Sequence, residues 1–218
     1  MSIAEVIVTE LRPWIGRPPA TDPPPVEGYR LIRSEKLDLM RVSLLGLLLA
    51  PVWMVIFGFL VTVLSGQDEV SGTISIVNAI VGLAFVVIVV VLHELIHGAA
   101  VLASGKLPSF GAGPGFFYTT CHEPLSWRSY VAVVLAPFVV INGAAVAIAV
   151  IWPGATGWAL FVSTINMMGA GGDIWMFVRL LSAPRTGLVM DLASGFAIYD
   201  VAVPVEQPQA TTASSIDS

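Results

Sequence analysis

Little in this sequence is charged, and almost nothing in it can be cross-linked. Lys, Arg, Asp and Glu together make up 11% of the 218 residues. An ordinary soluble domain carries about 25%. The one cysteine, Cys121, excludes an intramolecular disulfide. No apolar segment follows the start, so a cleavable signal peptide is not expected. No repeat of 20 to 50 residues is visible, which argues against a solenoid. The formal charge of -5 says little, because the placement of the charges matters more than their sum. No nucleic-acid partner is expected, and nothing fixes an oligomeric state.

What the chain has instead is apolar length, with 56% of its residues hydrophobic. Residues 1–42 are polar and rich in proline, with Pro13, Pro18, Pro19, Pro23, Pro24 and Pro25. They predict an extended cytoplasmic segment after a short helix over Ile3 to Leu11. Leu44 to Leu64 then runs 21 residues without a charge, enough to span a bilayer, with Pro51 predicting a kink. Gln67, Asp68 and Glu69 form an acidic loop. Further spans are expected at about 74–103, 130–152 and 158–181, making residues 43–200 one membrane domain. Between the second and third spans lies a stretch rich in glycine and aromatics, Leu107 to Cys121. It reads as a short hairpin or re-entrant loop. A short amphipathic segment through Tyr199 follows, and residues 201–218 read as a disordered tail. The expected fold is an all-α integral membrane protein with four transmembrane helices. All ten lysines and arginines fall before the first span, between the second and third, or at and after the end of the fourth. By the positive-inside rule, both termini are then cytoplasmic and the protein is multi-pass in the cell (plasma) membrane.

The chemistry concentrates in His93-Glu94-Leu95-Ile96-His97, which holds two of the three histidines. Residues four apart share one helical face, so His93 and His97 can both point at one metal ion. Zinc suits neutral imidazole and keeps a position open for water in catalytic sites. Glu94 is rotated about 100° from His93. It sits beside the metal, where it can take a proton from the water. A bare carboxylate at the centre of a membrane helix costs about 2.5 to 3.5 kcal/mol, and a nearby dication removes that cost.

Such a site needs another protein ligand. Asp173 is one candidate, the only acid within a span besides Glu94. It lies six residues before Arg179, roughly 9 Å, and His97 lies nine before Lys106, roughly 13 Å. The two groups can therefore meet at similar depth. Asn166 is about two turns before Asp173, on the same face. Gly169, Gly171 and Gly172 remove side chains, letting helices or a substrate backbone come close. His122 and Glu123, beside Cys121, are rival ligands in the loop. Asp191 reads as a surface or helix-capping acid.

His93-Glu94-Leu95-Ile96-His97-Gly98, Phe110-Gly111, Ala136-Pro137, Asn166 with Gly172-Asp173, and Asp191 with Gly195 and Tyr199 together resemble a bacterial family catalogued as putative zincin peptidases. The resemblance covers about residues 85–200. That family is itself similar to the site-2 protease type of intramembrane metalloproteases, which carry HExxH on one core helix and Asn-x-x-Pro…Leu-Asp-Gly on another. Here the second motif reads Asn166…Gly171-Gly172-Asp173-Ile174. The resemblance implies His93, His97 and Asp173 as zinc ligands, Glu94 as the base and Asn166 as a substrate or oxyanion helper. The expected activity is hydrolysis of peptide bonds in membrane protein or peptide substrates, near the cytoplasmic face of the lipid bilayer. The alternatives are a non-proteolytic zinc-binding membrane protein with a regulatory or assembly role, and a metal-dependent hydrolase of lipids or small amides.

Overall fold

The computed structural model describes residues 19–66, 76–113 and 116–202. The expected helix at 3–11, Pro13, Pro18, the acidic loop at 67–69 and the tail from Gln207 lie outside them. Three helices form the body. α1 spans Leu39–Ser65, α2 Ile76–Ala103 and α3 Trp127–Ile151. Each is long and apolar enough to cross a membrane. Their boundaries follow local chemistry. Asp38 caps α1 by accepting the N–H groups of Met40 and Arg41 at 3.1 and 3.2 Å. Gly66, at φ 70°, ends it in the left-handed region that glycine tolerates. Ser126 caps α3 by accepting from Ser129 N–H at 3.1 Å. The outward faces leave residues such as Leu44, Val55, Phe59, Ile80 and Leu83 exposed. An aqueous domain rarely tolerates an apolar surface of that extent, so the build is that of a membrane protein.

The expected fold class needs two corrections. First, the protein is not all-α. A hairpin of β2 (Pro108–Gly113) and β3 (Phe116–Cys121) joins α2 to α3, as expected for that loop. A second, four-stranded antiparallel sheet was not expected. It runs in the order β1, β6, β5, β4, with β1 at Tyr29–Lys36, β4 at Leu125–Ser126, β5 at Leu188–Leu192 and β6 at Gly195–Val201. β1 falls in the segment read as extended linker, and β5–β6 replace the amphipathic segment. Strands this short, one of them charged along its length, give little periodic signal, and β1 meets its partner β6 more than 150 residues along the chain.

Second, among the described residues there are three membrane-length helices, not four. The stretch expected as the fourth span is divided into α4 (Thr156–Gly169) and α5 (Gly171–Leu180). Fourteen residues rise only about 21 Å, short of a hydrocarbon core of about 30 Å. The break at Ala170 lies among three glycines, the weakest helix formers after proline. α1 packs against it. A Cβ on Gly171 would strike the Val42 carbonyl and Gly46, and one on Gly46 would strike the Met168 carbonyl. The close approach of α1 to this break therefore depends on both glycines.

The sheet and hairpin gather at one end of the bundle. β1 leads into α1, β4 into α3, and α5 leads back into β5. Beneath them sits a core of Tyr130, Leu180, Val189, Phe196 and Ile198, all nearly inaccessible.

Candidate metal centre

α2 presents His93 and His97 on one face, as their four-residue spacing requires. Their rings stand 4.9 Å apart at 76°, and both are buried. Each ring is held through Nδ1, so that Nε2 faces the same space. His97 Nδ1–H donates to the carbonyl of Val133 on α3 at 2.8 Å. The sequence explains why that carbonyl is free. Its helical donor would be the N–H four residues on, and residue 137 is proline, which has none. Pro137 thus releases the acceptor that orients His97.

His93 Nδ1–H donates to Asn166 Oδ1 at 3.0 Å. The amide nitrogen of Asn166 in turn donates to the Pro137 carbonyl and to Asn142 Oδ1, both at 3.3 Å. Asn142 Oδ1 also accepts from Ser163 Oγ, which accepts from Trp53 Nε1 on α1. Both ends of the Asn166 amide are therefore engaged by protein, and its side chain is 1% exposed. A buried polar chain links α1, α3 and α4 to His93.

Asp173 completes the group from the first turn of α5, where the helix N-terminus favours negative charge. Its Oδ2 is 3.0 Å from His93 Nε2, and its Oδ1 is 3.4 Å from His97 Nε2. Ligand atoms of all three lie within 4.8 Å of one another. With both Nδ1 atoms donating, two imidazole lone pairs face a carboxylate. Acceptors aimed at each other call for a proton or a metal cation between them. Tetrahedral zinc with bonds of about 2.0–2.1 Å separates its ligands by about 3.3 Å, and the distances here bracket that value. Nitrogen–oxygen donors in this set, with the distal imidazole nitrogens tied to a carbonyl and an amide, fit zinc.

The comparison with known families agrees. Residues 86–188 match the family described as Putative zincin peptidase. Over that segment the chain is similar to a family of metallopeptidase type. The matched range contains His93, Glu94, His97, Asn166 and Asp173. No curated protein and no solved structure matches the chain.

The three-residue cluster and Glu94 line one cavity of about 190 Å³. Glu94 sits next to the ligand face without sharing it, and its backbone carbonyl accepts from Thr119 Oγ1 at 2.9 Å, which fastens strand β3 to α2. Gly98 lets the hairpin lie this close, because a Cβ there would enter the Phe110 ring.

The other proposed ligands fall elsewhere. Among the described residues, neither His122 nor Glu123 joins the three-residue group. Glu123 is exposed and pairs with Lys106 at 2.5 Å. Asp191 is not the surface or capping acid expected. It also lines the cavity, accepting from Tyr130 Oη at 2.6 Å, Cys121 N–H at 2.9 Å and Thr120 Oγ1 at 3.4 Å. Burial raises its carboxyl above the usual range, and these donors pull it part of the way back. Its place could not be read from sequence, because β5 reaches the site only through the sheet. Pro137 was legible as a helix breaker; its second effect, a freed carbonyl at residue 133, follows from the same rule but needs His97 alongside to matter.

Proposed function

We propose that this protein is a membrane-embedded zinc metalloprotease, cutting peptide bonds of membrane protein substrates near the cytoplasmic face. The observation that carries the reading is the convergence of His93, His97, Asp173 and Glu94 on one cavity, within an otherwise apolar helical bundle. His93, His97 and Asp173 would hold zinc. Zinc bound there lowers the pKa of water to about 7 and polarises a carbonyl. Glu94 accepts the water's proton and returns it to the departing amine. Asn166 and the Val133 carbonyl keep the two imidazoles turned inward throughout. The site-2 protease type supplies the nearest analogy, and as a fold-level analogy it carries no more than that.

A helical substrate has its carbonyls bonded internally and must unwind before attack. β3 borders the cavity through Phe117, Tyr118 and Thr119. An extended substrate laid along this hairpin would gain backbone hydrogen bonds in place of its lost helical ones. The pairing of β1 with β6 brings the chain before α1 and the chain after α5 to the same side of the bundle. Arg30, Arg33, Lys36, Lys106, Arg128 and Arg185 cluster at that end, which supports a cytoplasmic assignment.

The test is Glu94→Gln, which keeps size and polarity but removes the base. Zinc content and abundance should match wild type, while cleavage of a single-span reporter should fall by about 10² to 10⁴. A zinc-loaded Glu94→Gln protein with full biological activity would leave the protein as a metal-binding regulator instead.

A further inference from the structure

The three glycines around the helix break do different work. Gly171 is pressed against α1, and a Cβ on Gly172 would make only ordinary contact with Leu37. Gly169 lines the cavity, and a Cβ built on it meets nothing within 4 Å. It sits one turn before Asp173, on the break that carries this ligand. No packing between elements requires a glycine there. The space it leaves is open and adjoins the cavity that Gly169 lines.

The cavity that Gly169 lines has apolar walls beside its polar centre. Val133 and Val134 of α3, Met176 of α5 and Phe117 of β3 border it. Three acids line the same cavity: Glu94 and Asp173 belong to the candidate centre, and both oxygens of Asp191 already accept hydrogen bonds from Tyr130, Cys121 and Thr120. Those three donors leave Asp191 about one of its four acceptor sites. A group entering here would exchange water for apolar contact, with the ligand cluster beside it.

We propose that Gly169 opens an apolar subsite next to the metal cluster, which takes one aliphatic or aromatic side chain of the substrate adjacent to the bond cut. This deepens the protease reading and rests on it for the identity of the occupant. The selectivity follows from volume: each methylene added at residue 169 removes space that a bulky substrate side chain needs.

The test uses zinc-loaded protein in detergent and a set of peptide hydroxamates, whose metal-binding head is constant. Their neighbouring side chain is methyl, isobutyl, benzyl or aminobutyl. Wild type should bind the isobutyl and benzyl probes more tightly than the methyl and aminobutyl ones. Gly169→Ala should lower the isobutyl-to-methyl affinity ratio, and Gly169→Val should lower it by about tenfold or more. The matched control is Gly143→Val on α3, another position with nothing within 4 Å of a Cβ but outside the cavity lining. It should leave the ratio unchanged. An unchanged ratio in Gly169→Val, or a preference of wild type for aminobutyl, would overturn the subsite. Graded binding without any reporter cleavage would support the subsite and remove the protease reading. A protein that retains no zinc would remove both.

Discussion

At the scale of single residues, the centre depends on which atoms are left to face inward. His93 and His97 could each offer either ring nitrogen. Asn166 and Val133 take Nδ1 in both, so only Nε2 remains for a metal. Asp173 supplies the balancing charge. His93→Ala, His97→Ala and Asp173→Ala should therefore each strip zinc from the purified protein, because an incomplete shell leaves uncompensated buried groups. His122→Ala should change zinc content little, since His122 stands outside the three-residue group. Metal analysis of the four variants decides the ligand set. Zinc lost in His122→Ala but kept in Asp173→Ala would replace Asp173 with the loop histidine.

At the scale of elements, two irregularities in the helices build the site. The break at Ala170 puts Asp173 at a helix start, and the proline in α3 frees a carbonyl for His97. Pro137→Ala tests the second. Restoring the N–H at residue 137 removes a penalty of about 3 kcal/mol carried by proline inside a helix, so thermal stability should hold or rise. The Val133 carbonyl would then be shared with the helix. Zinc affinity should fall by about tenfold, the low end for loss of a partner behind a ligand, because a carbonyl keeps a second lone pair. Stability and zinc affinity moving in opposite directions separates orientation of His97 from general damage. Unchanged zinc affinity would mean that the proline has no hold on the histidine.

At the scale of the molecule, the sheet ties the two ends of the helical body together. β1 and β6 pair over seven positions, from Tyr29 with Val201 to Lys36 with Gly195, with a bulge near Ile32. The hairpin and β4 lie at the same end. The metal cluster is thus near the side that bears the basic residues. Reporter fusions after Leu107 and at the C-terminus should read as cytoplasmic, and a fusion after Gly154 as exterior. An exterior signal at Leu107 would place the hairpin and the centre at the opposite face and overturn the proposed orientation.

The sequence by itself determined the parts whose physics is local. The spacing of His93 and His97 requires a shared face on any helix, and the uncharged run of α1 has few uses outside a bilayer. The hairpin was legible because glycine and aromatics alternate over a short stretch between two long apolar runs. Asp173 was legible as a candidate because a carboxylate in such surroundings needs a partner, although His122 and Glu123 stood as rivals in the loop. Only the tertiary structure shows which of them stands beside the histidines, because that means comparing distances between elements far apart in the chain. The same holds for the four-stranded sheet. β1 is charged and β4 has two residues, so neither announces itself, and each exists through partners that folding brings to it. The division of the last apolar stretch into α4 and α5 is decided in the same way. Glycine makes a break cheap there, but α1 packing on Gly171 fixes it where Asp173 turns toward the histidines.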